Sequence, residues 1–134
     1  MSFKPLLLLP GLGLVGLLSA CAGPLPKADP SQAWIGLAQE SPNDLLADSV
    51  DGKRLEDGRY FQVSPGAHRL QMALLQGANG NSAQPECEGR LDYSGFKAGE
   101  HYQLLESSQG QEVSAVLMDA QGRPLAHSAD FSCL

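Results

Sequence analysis

Closely spaced glycine and proline residues are the feature that most limits the folds open to this chain. From about residue 33 onwards they separate short runs in which apolar and polar side chains alternate. Runs of about four to eight residues are too short for ordinary helices but suit strands joined by tight turns. The separators are Gly52, Gly58, Pro65, Gly66, Gly77, Gly80, Gly89, Gly95, Gly99, Gly110 and Gly122. The sequence therefore predicts one all-β domain over residues 33–134, organised as a small β-sandwich-like fold.

Individual runs refine this prediction. Alternation over residues 68–74 places His68, Leu70, Met72 and Leu74 on one strand face, and the apolar run 113–118 indicates a strand buried on both sides. Trp34 begins the segment expected to form the opening strand. Residues 44–49 fit either a helical turn or a strand, and the sequence leaves both open.

The first twenty residues have the layout of a secretory signal peptide. A single cation, Lys4, precedes an apolar stretch from Leu6 to Leu18, which small residues follow. That stretch is shorter than the roughly 20 residues that a membrane-spanning helix needs. We expect residues 1–20 to be removed, which would change the formal net charge from −6 to −7 because Lys4 leaves with them.

The end of this leader reads Leu18-Ser19-Ala20-Cys21. This stretch resembles the lipobox of bacterial lipoproteins, in which an aliphatic residue and two small residues precede a cysteine. The resemblance implies that the Cys21 thiol receives a diacylglycerol, that cleavage occurs before it, and that the lipid bilayer is a partner through acylated Cys21. In enteric members of this class, an aspartate after the cysteine favours the inner membrane. Ala22 occupies that position here, so the resemblance implies the periplasmic face of the outer membrane.

Residues 21–32 contain three prolines and show no apolar periodicity. This composition is typical of an extended, flexible tether. Lipidation of Cys21 would leave two cysteines, Cys87 and Cys133, in an oxidising compartment. They are too far apart in sequence for a compact metal or redox motif. We therefore predict a structural disulfide between them.

Composition excludes some partners. The chain has 9 basic and 15 acidic residues and no cluster of Lys or Arg, which argues against nucleic acid. The densest charge cluster, residues 51–59, has mixed signs and is typical of a solvated surface. Its three cations, Lys53, Arg54 and Arg59, are the candidate binding rim for a protein partner.

Two segments around tight turns suggest a further resemblance. They are Val50-Asp51-Gly52-Lys53 and the stretch from Val63 to Leu70, which turns at Pro65-Gly66. Together they are similar to PEGA-type β-domains and to small proteobacterial lipoproteins. The resemblance implies a β-sandwich-like module of the cell envelope rather than an enzyme.

Motifs for catalysis and cofactors are missing from the sequence. It has no G-x-S-x-G elbow and no phosphate-binding loop. The three histidines, His68, His101 and His127, lack the spacing of a ligand pair, so we expect isolated residues at strand ends and neither metal nor cofactor. The sequence favours a non-catalytic, membrane-anchored envelope lipoprotein that acts as a binding or accessory module. A periplasmic inhibitor or ligand-binding protein is the first alternative, and a hydrolase with an unrecognised site is the second.

Overall fold

The computed structural model describes residues 23–40, 43–75, 85–109 and 112–133. These residues form strands and irregular segments and contain no helix, so the predicted all-β class is confirmed. The strands are β1 Ala33–Gln39, β2 Asp44–Val50, β3 Lys53–Arg54, β4 Tyr60–Val63, β5 Gly66–Leu75, β6 Pro85–Phe96, β7 His101–Gln109, β8 Glu112–Met118, β9 Pro124–His127 and β10 Ser132–Cys133. The leader and Cys21 lie outside the described residues.

The strands form two sheets of five. Sheet A has the order β4-β1-β7-β8-β9, and sheet B has the order β10-β6-β5-β2-β3. Strands β1 and β7 run parallel, whereas the other paired strands are antiparallel. Alternating residues from both sheets fill one common core, so the sandwich-like arrangement follows from the alternation in the sequence.

Large apolar side chains from each sheet meet in this core. Ile35, Phe61 and Leu104 come from sheet A, and Leu70 and Leu74 come from sheet B, all of them fully buried. Burying a side chain of this size stabilises the fold by about 1.5–3 kcal/mol. The core therefore holds the two sheets face to face.

Strand β5 has the predicted face, because Leu70, Met72 and Leu74 are buried while the residues between them are partly exposed. Residues 44–49, which could have been helix or strand, belong to strand β2. Strand β8 alternates strictly: Val113, Ala115 and Leu117 are buried, whereas Ser114, Val116 and Met118 on its other face are half-buried. The prediction of burial on both sides of β8 is thus correct for one face only.

The turn after β2 has the backbone that its sequence requires. Asp51 has a φ of 51° and Gly52 a φ of 85°, and Val50 pairs with Lys53 across the turn. Two consecutive positive φ values in a two-residue hairpin loop define a type I′ turn, which favours Asp-Gly. This turn fixes the place of Asp51 above the neighbouring strand β5.

The predicted disulfide between Cys87 and Cys133 is confirmed, with the two Cα atoms 4.0 Å apart. The two cysteines are also direct partners in the pairing of β6 with β10. The preceding residues bond to sheet A instead, since the amides of Ser128 and Phe131 donate to carbonyls of β8. Residues 128–133, here called the C-terminal crossover, therefore connect the two sheets.

Candidate functional site

A polar cluster connects the type I′ turn to the start of β5. The Asp51 carboxylate accepts a hydrogen bond from the Arg69 amide at 2.8 Å and lies 2.6 Å from Nδ1 of His68. These contacts, the Arg69 amide first, hold the pKa of the Asp51 carboxyl below its usual range. The turn is thereby held on strand β5 by an ionised carboxylate.

His68 is the centre of this cluster. Its side chain is 13% exposed, and its ring lies 6.2 Å from that of Phe96 between centroids. Nε2 lies 2.7 Å from the Ser64 carbonyl oxygen and 3.1 Å from the Ser64 hydroxyl. The prediction that His68 is isolated is wrong, whereas His101 and His127 are exposed residues at the ends of β7 and β9.

The contacts of His68 resemble a catalytic triad in their order: Ser64 as nucleophile, His68 as base and Asp51 as carboxylate. The atoms nearest to the His68 ring favour a different role for this histidine. A general base must keep a lone pair on Nε2 to accept the serine proton. Here the atom closest to Nε2 is a carbonyl oxygen, which only accepts hydrogen bonds. The Asp51 carboxylate at Nδ1 is also an acceptor, so each ring nitrogen has an acceptor as its nearest polar atom. This geometry joins three segments of chain and places the Ser64 carbonyl oxygen closer to Nε2 than the Ser64 hydroxyl.

A shallow surface depression of about 730 Å³ lies beside this cluster. Arg69 crosses it to Asp92, with its Nε 2.8 Å from one carboxylate oxygen. The guanidinium of Arg69 keeps the pKa of Asp92 below its usual range. Both side chains are about half exposed, so this ion pair contributes little to stability and leaves polar atoms accessible at the surface.

The three cations of the candidate rim lie in two different settings. Lys53 and Arg54 form the exposed edge strand β3 of sheet B, and Arg54 lies 3.8 Å from Asp48. Arg59 precedes β4 of sheet A. Its guanidinium donates to both oxygens of Asp57 and, through Nη1, to the carbonyl of Gly23 at 2.9 Å. Lys53 and Arg54 thus share an edge, while Arg59 holds the segment that precedes the domain.

The outer faces of the two sheets differ in charge. The five strands of sheet A contain two charged residues, Glu106, which points into the core, and Glu112, at the start of β8. In the strands of sheet B, eight charged residues of mixed sign have described side chains, which are Asp44, Asp48, Lys53, Arg54, Arg69, Glu88, Arg90 and Asp92. The sandwich therefore has one nearly uncharged face and one densely charged face.

The uncharged face carries an aromatic pair beside the edge strand β4. The rings of Trp34 and Tyr60 are stacked, with centroids 4.4 Å apart and planes 7° from parallel. Both side chains lie on the face of sheet A turned away from the core, since their neighbours Ile35 and Phe61 are buried. Such a pair contributes about 0.5–1.5 kcal/mol beyond the area that it buries.

The segment expected to be the tether lies along this edge. Residues 23–29 have no regular secondary structure, but the Asp29 amide donates to the Gln62 side chain at 2.9 Å. A turn at residues 29–32 then leads into β1, closed by the Gln32 amide on the Asp29 carbonyl. Together with the Arg59 bond to Gly23, these contacts place the segment beside β4 from one end to the other.

In residues 23–133, apart from the gaps already given, no group of three or more His, Cys, Asp or Glu side chains could hold a metal ion. Over the same residues, no helix is long and apolar enough to cross a bilayer. No protein-family model matches the chain, and neither the curated proteins nor the solved structures contain a match to it.

The ionised carboxylates make stability depend on acidity. Because hydrogen bonds hold the pKa values of Asp51 and Asp92 below their usual range, both carboxylates stabilise the fold above the unfolded pKa. That contribution is lost as the pH falls through the folded pKa values. We expect the free energy of unfolding to decrease from about pH 5 to about pH 3.

Urea unfolding at several pH values measures this dependence. Asp51→Asn should lower stability at neutral pH and flatten the decline in acid, because its carboxylate no longer titrates. Asp130→Asn, at an exposed position in the C-terminal crossover, is the control. Identical pH slopes for Asp51→Asn and the unsubstituted protein would contradict the role given to Asp51.

Proposed function

We propose that the protein is a lipid-anchored envelope lipoprotein whose β-sandwich acts as a non-catalytic binding or accessory module. Acylated Cys21 holds it on the periplasmic face of the outer membrane. Its charged face, the outer face of sheet B, receives an envelope protein partner. The lipobox-like stretch Leu18–Cys21 and Ala22 support the anchor and its location.

The observation that carries the binding role is the unequal distribution of charge between the two sheets. Of the charged residues with described side chains in the strands, eight belong to sheet B and two to sheet A. A partner surface with a complementary pattern of charges would be attracted to this face and held on it in one orientation. Arg54 and Arg90 are exposed there, and Lys53 extends the same edge.

The geometry of His68 supports a role without catalysis. A hydrolase that used Ser64 as its nucleophile would need Nε2 of His68 as the base, but the shortest contact of Nε2 is with a carbonyl oxygen. The cluster instead positions the hairpin that presents Lys53 and Arg54. Its function in this proposal is to hold one edge of the charged face in a fixed shape.

Cross-linking in intact cells tests the proposal directly. A photoreactive residue in place of Arg90 on the charged face should capture one dominant envelope protein. The same residue in place of Leu125, on the edge strand β9 of sheet A, is the matched control. Equal capture from both positions, or none from position 90, would contradict a binding role for sheet B.

The candidate rim gives a second test. Lys53→Ala combined with Arg54→Ala should leave the melting temperature within about 1 °C, because both side chains are exposed and little of their surface is packed. It should weaken capture of the partner by about tenfold, which corresponds to loss of about 1.4 kcal/mol of binding energy. Arg123→Ala removes an exposed arginine from the turn before β9 and should not change capture.

The anchor separates this proposal from its alternatives. Cys21→Ser should abolish the phenotype of an accessory module, because the module depends on its place at the membrane. A free periplasmic inhibitor would retain its effect after release. Ser64→Ala would abolish the activity of a hydrolase without changing stability, and that result would overturn the non-catalytic assignment.

A further inference from the structure

The contact between Gly23 and Arg59 limits how far from the domain a lipid anchor at Cys21 can lie. Cys21 precedes Gly23 by two residues, a span of at most about 7 Å. Gly23 is held by Arg59 at the start of β4. A free tether over residues 21–32 would reach about 40 Å, so the contacts with β4 shorten the distance between anchor and domain several-fold.

Three apolar side chains belong to this segment and to the two strands at this edge of sheet A. Leu25, 52% exposed, follows Gly23 in the same segment. The stacked rings of Trp34 and Tyr60 lie on the adjoining strands β1 and β4. These three residues form the anchor-side patch. Trp and Tyr are enriched at membrane–water interfaces, where an apolar ring body and a polar tip are both accommodated.

The charges beside the patch indicate which membrane surface it suits. Lys27 and Arg59 are balanced by Asp29 and Asp57, so the immediate surroundings are neutral. Without residues 1–20 the chain would have a net charge of −7 and would be repelled by a strongly anionic surface. A zwitterionic headgroup layer has no such repulsion.

We propose that the anchor-side patch lies against the zwitterionic headgroup region of the bilayer that carries acylated Cys21. The tether then orients the domain instead of holding it away from the membrane. The opposite sheet of the sandwich, with its charged face, points towards the periplasm and is left open to a partner. This inference rests on the proposed anchor at Cys21.

The chain provides its own probe, because Trp34 is its only tryptophan. The lipidated protein, which begins at acylated Cys21, is incorporated into phosphatidylcholine vesicles whose acyl chains carry bromine, a short-range quencher of tryptophan emission. We expect the emission of Trp34 to fall by about two-fold relative to vesicles without bromine, as for an indole in the membrane interface. Flotation of the vesicles and the acyl mass on Cys21 are measured on the same preparation.

A variant that releases the tether tests the orientation. Arg59→Ala with Gln62→Ala removes the two side chains that hold residues 23–29. It should still float with the vesicles, but its Trp34 emission should be quenched much less. Arg123→Ala is the matched control, since Arg123 also pairs with an aspartate within its own turn, and its quenching should not change.

Each other outcome has a defined meaning. Unquenched Trp34 in an acylated protein that floats would overturn the docked orientation and leave the anchor intact. Absence of the acyl mass from Cys21 would overturn the anchor, and the docking with it. Undiminished quenching in the tether variant would overturn the orienting role of Arg59 and Gln62. Protection of Trp34 in cells without quenching in vesicles would assign the patch to a protein and overturn the membrane as its occupant.

Discussion

Reduction of the disulfide between Cys87 and Cys133 should lower the free energy of unfolding by about 4 kcal/mol. The two cysteines are separated by 46 positions, so the bond removes the entropy of a long loop from the unfolded chain. Domains of this size are stable by about 5–15 kcal/mol. Loss of the bond would therefore remove a large part of the total stability.

Backbone pairing alone cannot replace this bond. In the described part of the chain, strand β10 pairs with β6 through two residues, Ser132 and Cys133. Two ladder positions at the end of a chain do not offset the backbone entropy of ordering it, about 1–2 kcal/mol per residue. Without the disulfide, we expect the C-terminal crossover to detach from sheet B first.

Urea unfolding followed by Trp34 fluorescence measures the effect. A Cys21→Ser background leaves Cys87 and Cys133 as the only cysteines, and the same protein with and without reductant is its own control. Hydrogen exchange of the Phe131 amide, which donates to Val113, should accelerate in the reduced form. A loss below about 1 kcal/mol would contradict the role of the loop constraint.

Much of the fold follows from short-range pattern. Alternation predicted the face of β5, and the Asp51-Gly52 pair predicted a tight hairpin turn, because both features depend on neighbouring residues. The prediction that glycines mark the ends of strands was wrong at two positions. Gly89 and Gly95 lie inside β6. A Cβ at position 89 would come within 2.1 Å of the Phe131 ring, so the fold requires glycine there. Its partner is 42 positions away, and no local pattern contains that contact.

The burial of Glu106 was not predicted, although the sequence contains a signal for it. Its position in β7 follows Tyr102 and Leu104 at steps of two, so the alternation itself points it into the core. It is fully buried and accepts a hydrogen bond from the Ser108 hydroxyl at 2.9 Å. Because this acidic residue continues a series of inward-facing apolar residues, the sequence alone could have predicted that its side chain is buried.

The candidate sites depend more on contacts between distant segments. His68 meets Asp51 only because β2 pairs with β5, and Gly23 meets Arg59 across 36 positions. Proline and small residues in the segment 21–32 predict an extended chain but not the strand that it follows. The sequence could therefore suggest an anchor and a tether, whereas the direction in which the domain faces requires the three-dimensional contacts.

Phe131→Ala should lower the free energy of unfolding by about 3 kcal/mol, in the lower part of the range for buried aromatic residues. The ring is 7% exposed and fills the space above Gly89, between the two sheets. The substitution should therefore leave a cavity. Leu125→Ala, at a position 36% exposed, is the control and should cost less than about 1 kcal/mol.

A double-mutant cycle links this residue to the disulfide. If both act by holding the crossover on sheet B, Phe131→Ala should cost clearly less in the reduced protein, where the crossover is already released. The coupling between neighbouring residues of this kind is about 0.5–3 kcal/mol. Additive losses would mean that Phe131 stabilises the core while β10 is detached, and the crossover would then not be a single cooperative unit. A positive coupling instead makes residues 128–133 the segment whose docking closes the sandwich.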